Sequence, residues 1–132
     1  MVGTTGPRML RLAAAHADAW NAWFTWYGNR PEGIAALRES VDAACADVGR
    51  DPATLERTLA ALVQVQAGEV ARRGGPSEKA PPISGSDEEI AGVLRAFAAE
   101  GISHVQLVVD PITVRSIERL GYVLAALSAP AR

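Results

Sequence analysis

The chain opens on Gly3-Thr4-Thr5-Gly6-Pro7-Arg8, a string whose residue types suit an anion. The glycines let backbone N–H groups approach a ligand, Thr4 and Thr5 add hydroxyl donors, and Arg8 adds charge. Pro7 suits the first position of a helix, whose positive dipole end would then face the turn. The bland alternative is a helix-entry turn. A second group is aromatic: Trp20, Trp23, Phe24, Trp26 and Tyr27 cluster within a few positions of one another. Such a cluster serves as core, as interface cover or as the wall of a ligand cavity; core packing is the default, with Asn21 a polar contact beside it if a ligand is held there. Further on, His104 and Gln106 share one face of an expected strand, and Asp110, Thr113 and Arg115 lie beyond its carboxyl end. His16, in an Ala-rich helix, and Cys45, on an apolar helical stripe, read as packed rather than reactive residues, and Arg72-Arg73 reads as loop solvation. The two histidines have no partner by spacing, so no set of nucleophile, base and orienting acid can be assembled and no catalytic residue is assigned.

The elements that position these residues must fit in 132 residues, 48% of them hydrophobic and 21% charged, which is the scale of one globular domain. A formal net charge of -2, with basic residues scattered along the chain, lacks the electrostatic footprint of a nucleic-acid binder. The longest apolar runs, such as Leu59 to Val63, fall far short of the roughly 20 residues that span a bilayer, and the N-terminus lacks a basic-then-apolar signal. A single cysteine excludes an internal disulfide framework and a cysteine-based zinc site. The expectation is a cytoplasmic protein with no membrane or nucleic-acid partner and no metal.

A helix is expected over about Pro7 to Ala17 and a short extended segment over Asp18 to Trp23. From Pro31, the residues Ile34, Leu37, Val41, Ala44, Cys45 and Val48 recur at helical spacing, and Gly49 takes the place of a left-handed cap. After the Arg50-Asp51-Pro52 turn comes a stretch to Gln66; its first half is compatible with helix, while the Val63-Gln64-Val65-Gln66 ending favours a strand. Ala67 to Pro82, rich in Gly, Pro and charge, reads as a mobile loop rather than a domain boundary. Ser86, with Glu89 three residues on, forms a capping box for a helix striped by Ile90, Val93, Leu94 and Phe97 and ended by Gly101. Ser103 to Val109 reads as a strand, and Val114, Ile117, Leu120, Leu124 and Leu127 mark a last helix. This alternation, about three strands with four helices, predicts an α/β fold with a parallel sheet and two open sheet edges.

Several of these segments are familiar in order and spacing. Gly3-Thr4-Thr5-Gly6-Pro7-Arg8 with Leu10 to Ala14 and Ala17-Asp18-Ala19-Trp20-Asn21 resembles the luciferase-like monooxygenase family from the end of its fifth barrel strand to its sixth. Gly49-Arg50-Asp51-Pro52 resembles that family's entry to strand seven, and Gly85 to Ile90 followed by Glu100 to Leu107 resembles its helix leading into strand eight. The resemblance covers nearly the whole chain apart from Ala67 to Pro82, and it makes residues 1–132 the C-terminal part of such a barrel, with Met1-Val2 standing for the end of strand five.

The resemblance implies a partial (β/α)8 TIM barrel, since a closed one takes roughly 250 residues. It also implies a flavin-type cofactor, either FMN with oxygen or the 5-deazaflavin coenzyme F420 for hydride transfer, without deciding between them. In a completed barrel it places a cofactor phosphate near Gly3, Thr4, Thr5, Gly6 and Arg8, with Arg115 a second phosphate candidate. His104, at the start of its strand, would sit at the barrel's bottom, away from the reactive end. The lack of a catalytic triad suits chemistry carried by a cofactor. The chain alone is expected to be inactive, contributing the phosphate site to a homo-oligomer or to a pairing with a missing N-terminal half. The rival expectation is a non-catalytic half-barrel that pairs with itself or another chain to cover its open edges; a third is a fragment that folds poorly.

Overall fold

A computed structural model of the chain describes residues 1–65 and 78–130. The mobile loop expected at 67–82 falls mostly outside the described residues. The order is β1 (Val2–Gly3), α1 (Pro7–His16), β2 (Ala19–Ala22), α2 (Ile34–Asp47), β3 (Glu56–Val63), α3 (Asp87–Ala99), β4 (His104–Val109) and α4 (Val114–Ser128). The four strands are parallel and lie in sequence order β1-β2-β3-β4, so β1 and β4 are the outer strands. Three strands were expected; Val2–Gly3 adds a fourth by pairing with Trp20 and Asn21.

Alternation within the strands separates two faces. Trp20, Ala22, Leu59, Ala61, Val63 and Val109 point toward the helices and are buried with Leu10, Ala14, Ile34, Val41, Cys45, Ile90, Phe97 and Val123. The opposite face carries Gly3, Asn21, Thr58, His104 and Gln106, which the register lines up across the sheet. That face is concave. Met1, which shares it with Gly3, has its Sδ 3.8 Å from Thr58 Oγ1 and 3.3 Å from Gln106 Nε2. Side chains standing perpendicular to a flat sheet would not meet across three strand spacings, roughly 14 Å, so the sheet curls.

The caps follow the sequence. Gly49 and Gly101 have φ of 71° and 88°, the left-handed conformation expected after a helix. The capping box is formed on both sides: Ser86 N–H donates to Glu89 Oε2 at 2.7 Å and Glu89 N–H to Ser86 Oγ at 3.2 Å. One expectation needs correction. Residues 56–63 are strand throughout, with no helical first half, and the strand stops before Gln64. β2 pairs with Glu56–Leu59 and β4 with Thr58–Val63, and these ladder hydrogen bonds outweigh the helix preference of Leu and Ala there.

Past Ala22, β2 turns away, and the β3 edge it leaves is satisfied by other groups. Tyr27 Oη donates to Ala60 O at 2.6 Å. Asn29 accepts from Leu62 N–H at 3.0 Å and donates through Nδ2 to Leu62 O at 2.8 Å and Pro81 O at 2.9 Å. Ile83 then pairs with the strand end, its N–H on Leu62 O and its carbonyl receiving Gln64 N–H, both at 2.9 Å. A side-chain amide thus extends a sheet ladder where no strand is present. Asn29 does so from φ 56°, a conformation that asparagine tolerates better than most residues.

Candidate functional site

Because all four strands are parallel, their strand-to-helix connections gather at one end of the sheet. Thr4–Gly6 follow β1, the aromatic segment follows β2, and Asp110–Thr113 follow β4. In barrels of this architecture that end carries the chemistry.

The Gly3–Arg8 turn is fixed from β2. Gly3 lies opposite Asn21, and a Cβ at Gly3 would stand 3.3 Å from Asn21 O and 3.8 Å from the Trp26 ring, so the small residue lets the two strands and the indole come together. Trp20 Nε1 donates to Thr4 O at 2.9 Å and pins the turn to the sheet. Gly6 then starts α1 with φ -70° and ψ 136°, a conformation open to any residue, and a Cβ there would meet nothing within 4 Å. Its absent side chain therefore leaves open approach to the helix end rather than supplying backbone freedom.

No side chain caps the first turn of α1 and no acidic residue lies in it, so its N–H groups and positive dipole end are left to outside partners. Of the other helices that start at this rim, α2 likewise has no side-chain cap and no acidic residue in its first turn, whereas α3 is closed by its capping box and three carboxylates, Asp87, Glu88 and Glu89, and α4 by Thr113, whose Oγ1 accepts from Ser116 N–H at 3.0 Å. Thr5 and Arg8 are exposed beside the α1 terminus.

Asn21 sits on the concave face with Oδ1 2.8 Å from the hydroxyl of buried Thr58, which also lies 3.0 Å from Trp20 O. Arg115, exposed in the first turn of α4, is at the same end of the sheet but above the opposite edge. The structure thus brings Gly3, Thr4, Thr5, Gly6, Arg8 and Asn21 into one neighbourhood and leaves Arg115 across the half-barrel. The aromatic cluster divides. Trp20, Phe24 and Tyr27 are core, whereas Trp23 and Trp26 are each 40% exposed at the rim. Burial pushes the Tyr27 hydroxyl well above the ordinary tyrosine range, so it serves as a neutral donor to Ala60 O. His104 is the first, exposed residue of β4, at the far end of the sheet.

Sequence reasoning missed Asn29 and Thr58. Gly28-Asn29, both at positive φ, was the available signal for the first; a threonine inside a strand gave none for the second. Asn29 also borders an open pocket of about 660 Å³, lined with Arg30, Pro81, Ser84, Glu89 and Val93.

A curled, parallel, sequentially ordered β/α sheet with its connections gathered at one rim is part of a (β/α)8 barrel. The family model for luciferase-like monooxygenases matches residues 1–74, more than half of the chain, which therefore belongs to that family. Among solved structures the chain is similar to an F420-dependent secondary alcohol dehydrogenase in complex with an F420-acetone adduct, at 15% identity and TM-score 0.68, covering 96% of this chain and 48% of that one. It is also similar to a coenzyme F420 dependent tetrahydromethanopterin reductase from Methanopyrus kandleri, at 14% identity and TM-score 0.64, covering 90% and 48%. The chain spans about half the length of both. No curated protein matches it in sequence.

Proposed function

We propose that this half-barrel holds the phosphate end of a flavin-type cofactor in a luciferase-like oxidoreductase, and that it acts only when a complementary half completes the cavity. The observation that carries the reading is the α1 N-terminus: open at Gly6, without a side-chain cap, flanked by Thr5 and Arg8, and set at the carboxyl ends of parallel strands. These donors suit a phosphate. Gly3, Thr4, Thr5, Gly6 and Arg8 would hold it, Asn21 would offer a polar contact on the concave face, and Arg115 would add positive charge from the opposite edge. Both similar structures are of F420-dependent enzymes, which favours the deazaflavin over FMN. When bound, the cofactor supplies the redox chemistry; the chain's residues bind it, orient it and screen it from water. Among the described residues no helix is long and apolar enough to cross a membrane. With its one cysteine buried and reduced, the chain suits the cytoplasm.

Fluorescence titration of the chain with F420, and separately with FMN, tests this. Saturable binding is expected, weakened about tenfold by Arg8→Ala or Gly6→Val, with far-UV circular dichroism unchanged because both positions are exposed. Binding unaffected by either substitution, or no binding of either cofactor under conditions where the barrel is complete, would overturn the assignment.

A further inference from the structure

The concave face has a polar pair built into it. Asn21 on β2 is in register with Thr58 on β3, which is 1% exposed at a place where a valine of the same shape would pack without a hydroxyl to desolvate. A threonine hydroxyl has one proton, and its neighbours here are acceptors: Asn21 Oδ1 at 2.8 Å, Trp20 O at 3.0 Å and, farther off, Met1 Sδ at 3.8 Å. The nearest of them, the Asn21 oxygen, is thereby turned toward β3, and Nδ2 is turned away. That nitrogen has no hydrogen-bond partner among the described residues. Since none of their buried side-chain nitrogens or oxygens lacks a partner, Nδ2 is open to the space over the sheet. Its N–H donors are thus presented on the concave face. Their place is tied to the opening turn: Asn21 is in register with Gly3, and Trp20, whose carbonyl the same hydroxyl reaches, donates through Nε1 to Thr4 O.

We propose that Asn21 donates to an oxygen on the cofactor's ribityl chain, the segment next to the phosphate in both F420 and FMN, and that Thr58 is the positioning residue that keeps the amide turned that way. The inference rests on the phosphate reading above and adds the next subsite down the concave face. Gly3 and Gly6 are three residues apart, at most about 10 Å of backbone, which is the span of a phosphate with its attached polyol chain. A cofactor held at the α1 N-terminus and running into the half-barrel therefore brings that chain level with the Gly3–Asn21 row. Left free, the amide would turn either end to such an oxygen; the Thr58 bond holds the donor end there before the ligand arrives.

Titration of the chain and its variants with F420 and with FMN checks this. Asn21→Ala and Thr58→Val are each expected to raise the dissociation constant about fivefold to tenfold, and the two together no more than Asn21→Ala alone, because Thr58 acts only through Asn21. Thr58→Ser keeps the hydroxyl and should bind as the wild type does. Circular dichroism checks folding, and should Thr58→Val unfold the chain, Asn21→Ala and Thr58→Ser still decide. Competing ligands locate the contact. Asn21→Ala should weaken riboflavin, which has the chain without the phosphate, and leave inorganic phosphate and lumiflavin, a ring without the chain, unchanged. Additive losses in the double variant, weak binding by Thr58→Ser, or an Asn21→Ala loss shared by phosphate or lumiflavin would overturn the inference. Binding weakened by Arg8→Ala and Gly6→Val but indifferent to Asn21→Ala would sink the ribityl contact and leave the phosphate reading standing; the opposite pattern would do the reverse.

Discussion

Replacing Asn29 with Ala tests the claim that a side-chain amide stands in for a missing strand. Asn29 is 2% exposed and its amide makes three hydrogen bonds, two to Leu62 and one to Pro81. Leu62 O keeps Ile83 N–H as a partner, so the chief cost falls on Leu62 N–H, left unpaired at a residue 4% exposed. An orphaned buried donor costs about 1–3 kcal/mol, and each lost bond about 1 kcal/mol. The left-handed φ of 56° adds a penalty for alanine. The sum is about 4 kcal/mol, which for a domain of this size lowers the melting temperature by roughly 15 °C. Urea unfolding followed by circular dichroism measures it. Asn29→Asp should also destabilise at neutral pH, since a carboxylate would face the carbonyls of Leu62 and Pro81, and it should recover partly in acid once the carboxyl can donate. A loss below about 1 kcal/mol for Asn29→Ala, or no pH dependence for Asn29→Asp, would refute the reasoning.

Two further outcomes are expected. Ser86→Ala removes the cap of α3 and should cost about 1 kcal/mol in chemical denaturation. The Ser86 backbone N–H, and then its hydroxyl, hold Glu89 below the ordinary glutamate range, so the carboxylate's share of the box is complete at neutral pH and is lost as pH falls through that depressed value; the gap between wild type and variant should narrow in acid. Cys45 is fully buried and burial pushes its thiol up, so a thiol reagent at mildly alkaline pH should modify the native chain roughly 10³-fold more slowly than the denatured one, and comparable rates would contradict its place in the core.

Most of the secondary structure was legible because its signals are local. Pro7 at a helix start, Ser86 with Glu89, and glycines at 49 and 101 act within one turn of backbone and mark the same boundaries in isolation as in the fold. The stretch before Gln64 was less legible, since Leu and Ala suit helix or buried strand equally and only neighbouring strands choose between them. The candidate site was legible as a motif in Gly3–Arg8. Its geometry was not: nothing local shows that Trp20 ties Thr4 to the sheet, or that Arg115, the second phosphate candidate, lies across the sheet from the turn.

The amino-acid order by itself determined the alternation of helices and strands, the caps and the kinship with luciferase-like proteins, because periodicity and capping act over a few residues. Only the tertiary structure decided which aromatics of the cluster face water, that Asn29 completes the edge of β3, and that the buried Thr58 hydroxyl holds the Asn21 amide. Those outcomes depend on contacts between segments far apart in the chain, such as Asn29 with Leu62 and Arg119 with Asp87, whose energy exists only once the sheet has curled and the helices have packed on it.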